Sequence, residues 1–189
     1  MIITEILARN ARMYGSETAL IERAPAENKR TAITWMDFDQ QANRVAQALM
    51  ARGIVKGQRV VHLMMNCLEW LPLYFGILRT GAWAVPLNFR FVAKTILRCT
   101  ETAEARAMIF GEEFIDRIDA IKAELDRTVR WYIFVGPEAK TPDYAEHIDN
   151  FVAAVEAVAP DVPLALEDEA ALYFTSGTTG TPKATLLTH

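Results

Sequence analysis

The run at residues 58–65 (QRVVHLMM) is apolar over the length of a strand, with no alternation of polar and apolar positions. A strand that must hide both faces from water belongs in a parallel sheet covered on each side by helices. Its flanks agree. Upstream, Thr34-x-x-Asp37 has the spacing of a capping box, with Asp in place of the usual Glu. Apolar residues then follow at Trp35, Phe38, Ala42, Val45 and Leu49, the three-and-four spacing of a helix face, and Gly53 fits the position just past the C-cap. Downstream, Asn66-x-x-Glu69 could cap a second helix running towards Gly81. Pro72 conflicts with that start, because it lacks an N–H and clashes with the carbonyl four residues back. The sequence therefore predicts a kink, or a helix that begins later than the cap suggests.

The strand-then-helix pattern repeats along the chain. A short amphipathic helix is expected over Thr4–Tyr14, then two short strands at 18–23 and 30–34. After the 58–65 strand come strands at 82–85, 105–110, 129–135 and 170–175, with helices expected at 92–103, 111–125 and 145–158. Residues 136–144 are expected as a surface loop and 161–169 as an acidic loop. This alternation predicts an α/β fold, a layered sheet flanked by helices. At 189 residues the chain is long enough to bury a substantial core.

Charge excludes one class of partner. Formal net charge is −4, which lacks the basic footprint of a nucleic-acid binder. Residues 1–60 carry nine basic and six acidic side chains, and after Lys140 the only Lys or Arg is Lys183. The longest apolar run, Trp70 to Leu78, is too short to span a bilayer, and the N-terminus has no apolar signal-peptide core. Cys67 and Cys99 lack a metal or redox spacing and read as reduced thiols, so a cytoplasmic location is expected.

The chemistry concentrates in residues 172–189, LYFTSGTTGTPKATLLTH. An apolar strand enters Thr175-Ser176-Gly177-Thr178-Thr179-Gly180-Thr181-Pro182-Lys183, and an apolar segment, Ala184 to Leu187, leaves it. Glycines permit close backbone approach to an oxyanion, successive N–H groups form anion-binding nests, and hydroxyls can reach phosphate or magnesium. A Walker loop is excluded, because Pro182 separates Gly180 from the lysine and a β-like run follows. On spacing alone, a phosphate-binding loop and a Ser/Thr/Gly linker both remain open. His62 is expected as a satisfied core histidine, His147 on a solvated helix, and His189 without a role. Trp35, Trp70 and Trp83 are expected in packing.

The stretch Tyr173 to Lys183 resembles the signature of the adenylate-forming (AMP-binding) superfamily, the acyl-CoA synthetases and their relatives, whose loop has the form TSGTTGxPKG. The resemblance extends to ITWMDFDQQANRVAQAL (33–49), GQRVVHLMMNCLEWLPLYFGILRTGAWAVPLN (57–88) and DEAALYF (168–174). The PLNFR wording is most similar to fatty- and aryl-acid CoA ligases. The resemblance implies the N-terminal part of an acyl-CoA synthetase-like large domain. It implies an activity in which a carboxylic acid attacks ATP to give an acyl-adenylate, which coenzyme A then converts to a thioester. By the same resemblance, Thr175, Ser176, Gly177, Thr178, Thr179, Gly180 and Lys183 would bind the triphosphate, and Thr175 or Thr178 would touch Mg. None of them would be a nucleophile. Ala184 stands where the family usually has glycine; if that position needs positive φ, the methyl would cost on the order of 1 kcal/mol. Residues 1–189 are expected to form a partial N-terminal AMP-binding domain ending just after the loop, without the later adenine-site motifs or the C-terminal domain. Alone it is expected to be inactive, with apolar surface through which it could self-associate. A phosphate- or nucleotide-binding module, or an interaction domain from a decayed enzyme, is the alternative.

Overall fold

The computed structural model describes residues 1–175 and 182–189. The N-terminal helix α1 (Ile3–Tyr14) leads to an antiparallel hairpin, β1 (Thr18–Ala24) and β2 (Lys29–Thr34), which forms a small sheet of its own. Helix α2 (Trp35–Ala51) begins at the expected cap. The Asp37 amide donates to Thr34 Oγ1 at 3.1 Å, and the Thr34 amide donates back to the Asp37 carboxylate at 3.0 Å. The Thr34 hydroxyl donates to the Asp37 carboxylate at 2.7 Å, and this bond, with that from the Thr34 amide, favours the ionised acid and holds the Asp37 carboxyl below its usual pKa. Gly53 ends the helix at φ 79°, where a Cβ would be strained.

The main sheet is built from β3 (Arg59–Leu63), β4 (Trp83–Pro86), β5 (Ala107–Gly111), β6 (Trp131–Val135), β7 (Glu146–His147), β8 (Glu169–Thr175) and β9 (Lys183–Thr188). Their order is β7-β6-β5-β3-β4-β8-β9, parallel throughout except for β9, which runs antiparallel to β8. The central strand β3 is buried on both faces, as its unbroken apolar run requires. Val60 and Met64 join one core with α2, α3 (Trp70–Arg79) and α7 (Ile148–Ala153). Val61 and Leu63 join the other, with α4 (Ala93–Ala103), α5 (Ile115–Asp119) and α6 (Lys122–Leu125).

Pro72 resolves as the later start. Helix α3 begins at Trp70, not after Asn66, so Pro72 falls in its first turn, where an N–H has no partner in the helix. Two helices come out shorter than expected. Residues 111–125 divide into a 3-10 turn, α5 and α6, yet Phe114, Ile118, Ile121 and Leu125 still form one buried face. Of residues 145–158 only Ile148–Ala153 is helical.

Helices α2 and α3 cross at close range. A Cβ on Gly76 would lie 2.5 Å from Val45 Cγ1 and 3.1 Å from the Ala42 carbonyl, so only glycine fits there. The pair is also joined by charge. Buried Arg79 donates to Asp39 Oδ1 at 2.5 Å, to Asn43 Oδ1 at 2.6 Å and to the Asp39 carbonyl at 2.9 Å.

Candidate functional site

Strand β8 carries the chain out of the core. Ala170, Ala171 and Leu172 are buried, Tyr173 and Phe174 half-buried, and Thr175 exposed. Strand β9 returns beside it, pairing Thr175 with Lys183 and Phe174 with Ala184. The Thr175 hydroxyl donates a long bond, 3.4 Å, to the Lys183 carbonyl. Because β8 runs parallel to β4, Thr175 lies at the carboxyl edge of the parallel strands, the edge at which open α/β sheets bind ligands. Of the expected loop residues, Thr175 and Lys183 are brought together here. Ser176, Gly177, Thr178, Thr179 and Gly180 lie outside the described residues. Lys183 is exposed, with no ion-pair partner among the described residues. Ala184 lies in an extended strand, so the strain that a positive φ would have brought does not arise.

An aromatic column supports β8 just below Thr175. The Tyr173 and Tyr74 hydroxyls are 3.3 Å apart, Tyr74 stacks on Trp70 at 5.3 Å, and Trp70 lies 4.5 Å from the His62 ring. Burial, reinforced by the Tyr173 hydroxyl, pushes the Tyr74 phenol above its usual range. Sequence reasoning placed Trp70 in packing correctly but did not link it to the loop, since no local signal pairs α3 with β8. Trp35 and Trp83 likewise pack, half-buried, against core clusters.

The histidines differ from expectation. His62 is in the core, as expected, but it is not satisfied: neither ring nitrogen has a hydrogen-bond partner among the described residues. Burial brings its pKa down to about 3, so it is neutral. His147 is not on a solvated helix. It is buried at the N-cap of α7, where Nδ1 accepts the Asp149 amide at 3.2 Å and Nε2 faces the Gly136 carbonyl at 2.8 Å. His189 donates its backbone amide to the Asp168 carbonyl. Asp168 is itself bound by Lys56 Nζ at 2.5 Å and by the Ala165 amide at 2.7 Å, and its carboxyl is held low by both.

Neither cysteine is a ready nucleophile. Both are free, and burial pushes Cys67 up to about 12 and Cys99 up to about 11. Among the described residues no group of three His, Cys, Asp or Glu side chains could hold a metal. None of the described helices is long and apolar enough to cross a membrane. A separate cleft of about 680 Å³ opens at the carboxyl ends of β3, β5 and β6.

The family model described as AMP-binding enzyme matches residues 7–189. The chain belongs to this family. A crotonobetaine/carnitine–CoA ligase of Citrobacter koseri is 30% identical over 95% of this chain and 35% of its own length. A 3-hydroxybenzoate–CoA/4-hydroxybenzoate–CoA ligase of Thauera aromatica is 33% identical over 98% of this chain and 34% of its own length. Among solved structures, the anthranilate CoA ligase AuaEII in complex with anthranoyl-AMP superposes with a TM-score of 0.91 at 25% identity, covering all of this chain and 35% of that one. The N-terminal domain of FACL13 from Mycobacterium tuberculosis, bound to an inhibitor, gives 0.80 at 30% identity, covering all of this chain and 44% of that one. The chain thus spans about a third of the length of the curated relatives it matches, and it is an N-terminal portion of the AMP-binding fold.

Proposed function

We propose that residues 1–189 form the phosphate-binding part of the N-terminal domain of an ATP-dependent acid–CoA ligase. The observation that carries this reading is the pairing of β8 with β9. It sets Thr175 opposite Lys183 at the carboxyl edge of the sheet, at the two ends of the TSGTTGTPK wording of the AMP-binding enzymes. Thr175, Ser176, Gly177, Thr178, Thr179 and Gly180 would wrap the β- and γ-phosphates of ATP, with the Lys183 ammonium beside them. Thr175 fits a hard cation such as Mg: its hydroxyl is exposed and makes only one long bond among the described residues, and Thr178 is the second candidate. ATP supplies the electrophilic phosphorus and the pyrophosphate leaving group. The chain's own part is to hold the triphosphate in place and offset its charge, which is where phosphoryl-transfer proteins gain most of their rate. The carboxylic acid is the nucleophile, and coenzyme A takes the acyl group in the second step.

The acid and coenzyme A would need residues outside 1–189, so this chain by itself would lack ligase activity. The open edge of β9, all six residues exposed with Leu186 and Leu187 among them, supports self-association of the chain. The test is acid-dependent exchange of pyrophosphate into ATP, measured on the protein carrying the later motifs. Lys183→Ala should lower the exchange rate by about 10²–10³-fold, the order seen when one charge-stabilising donor is removed. Full retention of exchange would refute the role given to Lys183. An ATP titration of residues 1–189 addresses the non-catalytic reading: Lys183-dependent binding without exchange by the longer protein would replace the ligase with a phosphate-binding module.

A further inference from the structure

We propose, resting on the triphosphate-binding role given above to Thr175 and Lys183, that Tyr74 and Tyr173 are the positioning residues for that role. Their hydroxyl pair takes the place of a missing ladder bond and fixes the end of β8, and with it Thr175 and Lys183. Strand β8 lies between β4 and β9, but among the described residues its one register pair with β4 is Ala171 with Ala84. From Leu172 onward β8 has a ladder on one side, to β9, whose six residues are all exposed. Thr175 therefore stands at the end of a weakly supported piece of strand.

The sequence of β4 explains the missing bond. The Trp83 amide donates to the Gln58 carbonyl and the Leu87 amide to the His62 carbonyl, so the odd-numbered residues here turn their backbone towards β3. Backbone direction alternates along a strand, so the even-numbered residues face β8. Pro86 is one of them. It lies two positions past Ala84, level with Tyr173 by the Ala84–Ala171 register, and it has no N–H to give.

Tyr173 supplies the tether instead. Tyr173 and Thr175 are two positions apart and share a face of β8, with Thr185 and Lys183 opposite them on β9. On that face the Tyr173 hydroxyl lies 3.3 Å from that of Tyr74, which is 9% exposed and has no other hydrogen-bond partner among the described residues. A buried phenol needs a partner, so the Tyr74 hydroxyl is committed to Tyr173. Tyr74 is itself held in place: its ring stacks on Trp70 at 5.3 Å, and its helix packs closely on α2 at Gly76. On the other face of β8, Leu172 and Phe174 are held by apolar packing, which is non-directional. The hydroxyl pair is thus the directional contact that sets where the end of β8 points.

The test is the pyrophosphate–ATP assay on the protein carrying the later motifs, read as kcat and the KM for ATP. Tyr74→Phe and Tyr173→Phe should each raise the KM for ATP about tenfold, and the double variant should be no worse than either one, because the two hydroxyls act as a unit. Tyr132→Phe is the control: it removes a comparable bond, to Asp126 at 3.0 Å, in the other core, and should leave the KM unchanged. A variant that had merely lost stability would lose kcat with its unfolded fraction and keep the wild-type KM. Amide hydrogen exchange followed by mass spectrometry gives a second readout. In both tyrosine variants residues 172–175 should exchange faster, while residues 59–63 keep their rate. Lys183-dependent activity with a wild-type KM in both tyrosine variants would overturn the positioning role and leave the role of Lys183 standing. Activity indifferent to Lys183→Ala would refute both. Unchanged amide exchange at 172–175 would refute the tether.

Discussion

Replacing His62 by phenylalanine should remove a specific part of this protein's acid sensitivity. The imidazole is buried against Trp70 and Tyr74, without a hydrogen-bond partner among the described residues, and its pKa is down to about 3. In the unfolded chain a histidine titrates near its ordinary 6.5. Between these values the unfolded state binds a proton that the folded state refuses, so stability falls as pH falls below 6.5 and keeps falling until about 3. Lowering the pH from 7 to 5 should therefore cost the wild type about 2 kcal/mol through this residue alone. Other groups titrate over the same range, but they are common to both chains and cancel in the comparison. The assay is urea unfolding followed by circular dichroism at pH 7, 6 and 5 for wild type and His62→Phe. The stability difference should shift in favour of the variant by about 2 kcal/mol across that range. At pH 7 the variant should already be as stable or more so, because a buried N–H without a partner costs about 1–3 kcal/mol. His62→Leu serves if the larger phenyl ring overpacks the site. Parallel pH profiles for wild type and both variants would refute the reasoning, since they would mean that the folded protein accommodates the imidazolium.

Two further changes test the packing of α2 on α3. Gly76→Ala should destabilise the protein by about 1–3 kcal/mol in urea unfolding, and Val45→Ala in the same chain should restore part of the loss, because the new methyl meets the Val45 side chain. Asp39→Ala should cost about 3–5 kcal/mol, since it leaves the buried Arg79 guanidinium without its carboxylate. Replacing both partners by apolar residues should cost less than that single change, which thermal unfolding of the three chains would show.

What could be read from the sequence was decided by near neighbours. The Thr34–Asp37 cap, the turn at Gly53 and the double-faced burial of β3 depend on residues a few positions apart, and each stands as expected. The region 111–125 shows where such reading stops. A single helix was expected, but the helical ladder is interrupted between α5 and α6, because contact with the sheet fixes which side chains are buried and does not require continuous helix. His147 was misjudged for a related reason: its burial depends on the Gly136 carbonyl, eleven residues away, and on the Phe134 ring. For the site, the wording of 175–183 was legible. The aromatic column beneath it was not, because Tyr74 and Tyr173 are 99 positions apart and meet only through the sheet order.

That sheet order also ranks the strands by how long their amides stay closed. Strand β3 is hydrogen-bonded on both sides and covered by helices on both faces, so its amides can exchange with solvent only when much of the domain opens. Strand β9 is bonded on one side, and all six of its residues are exposed. Its amides belong to the low-energy end of the opening spectrum. Lys183 therefore sits on the strand least committed to the core. A ligand gripping Thr175 and Lys183 would slow exchange mainly in β9 and the end of β8, leaving the lifetime of β3 to report on the stability of the domain as a whole.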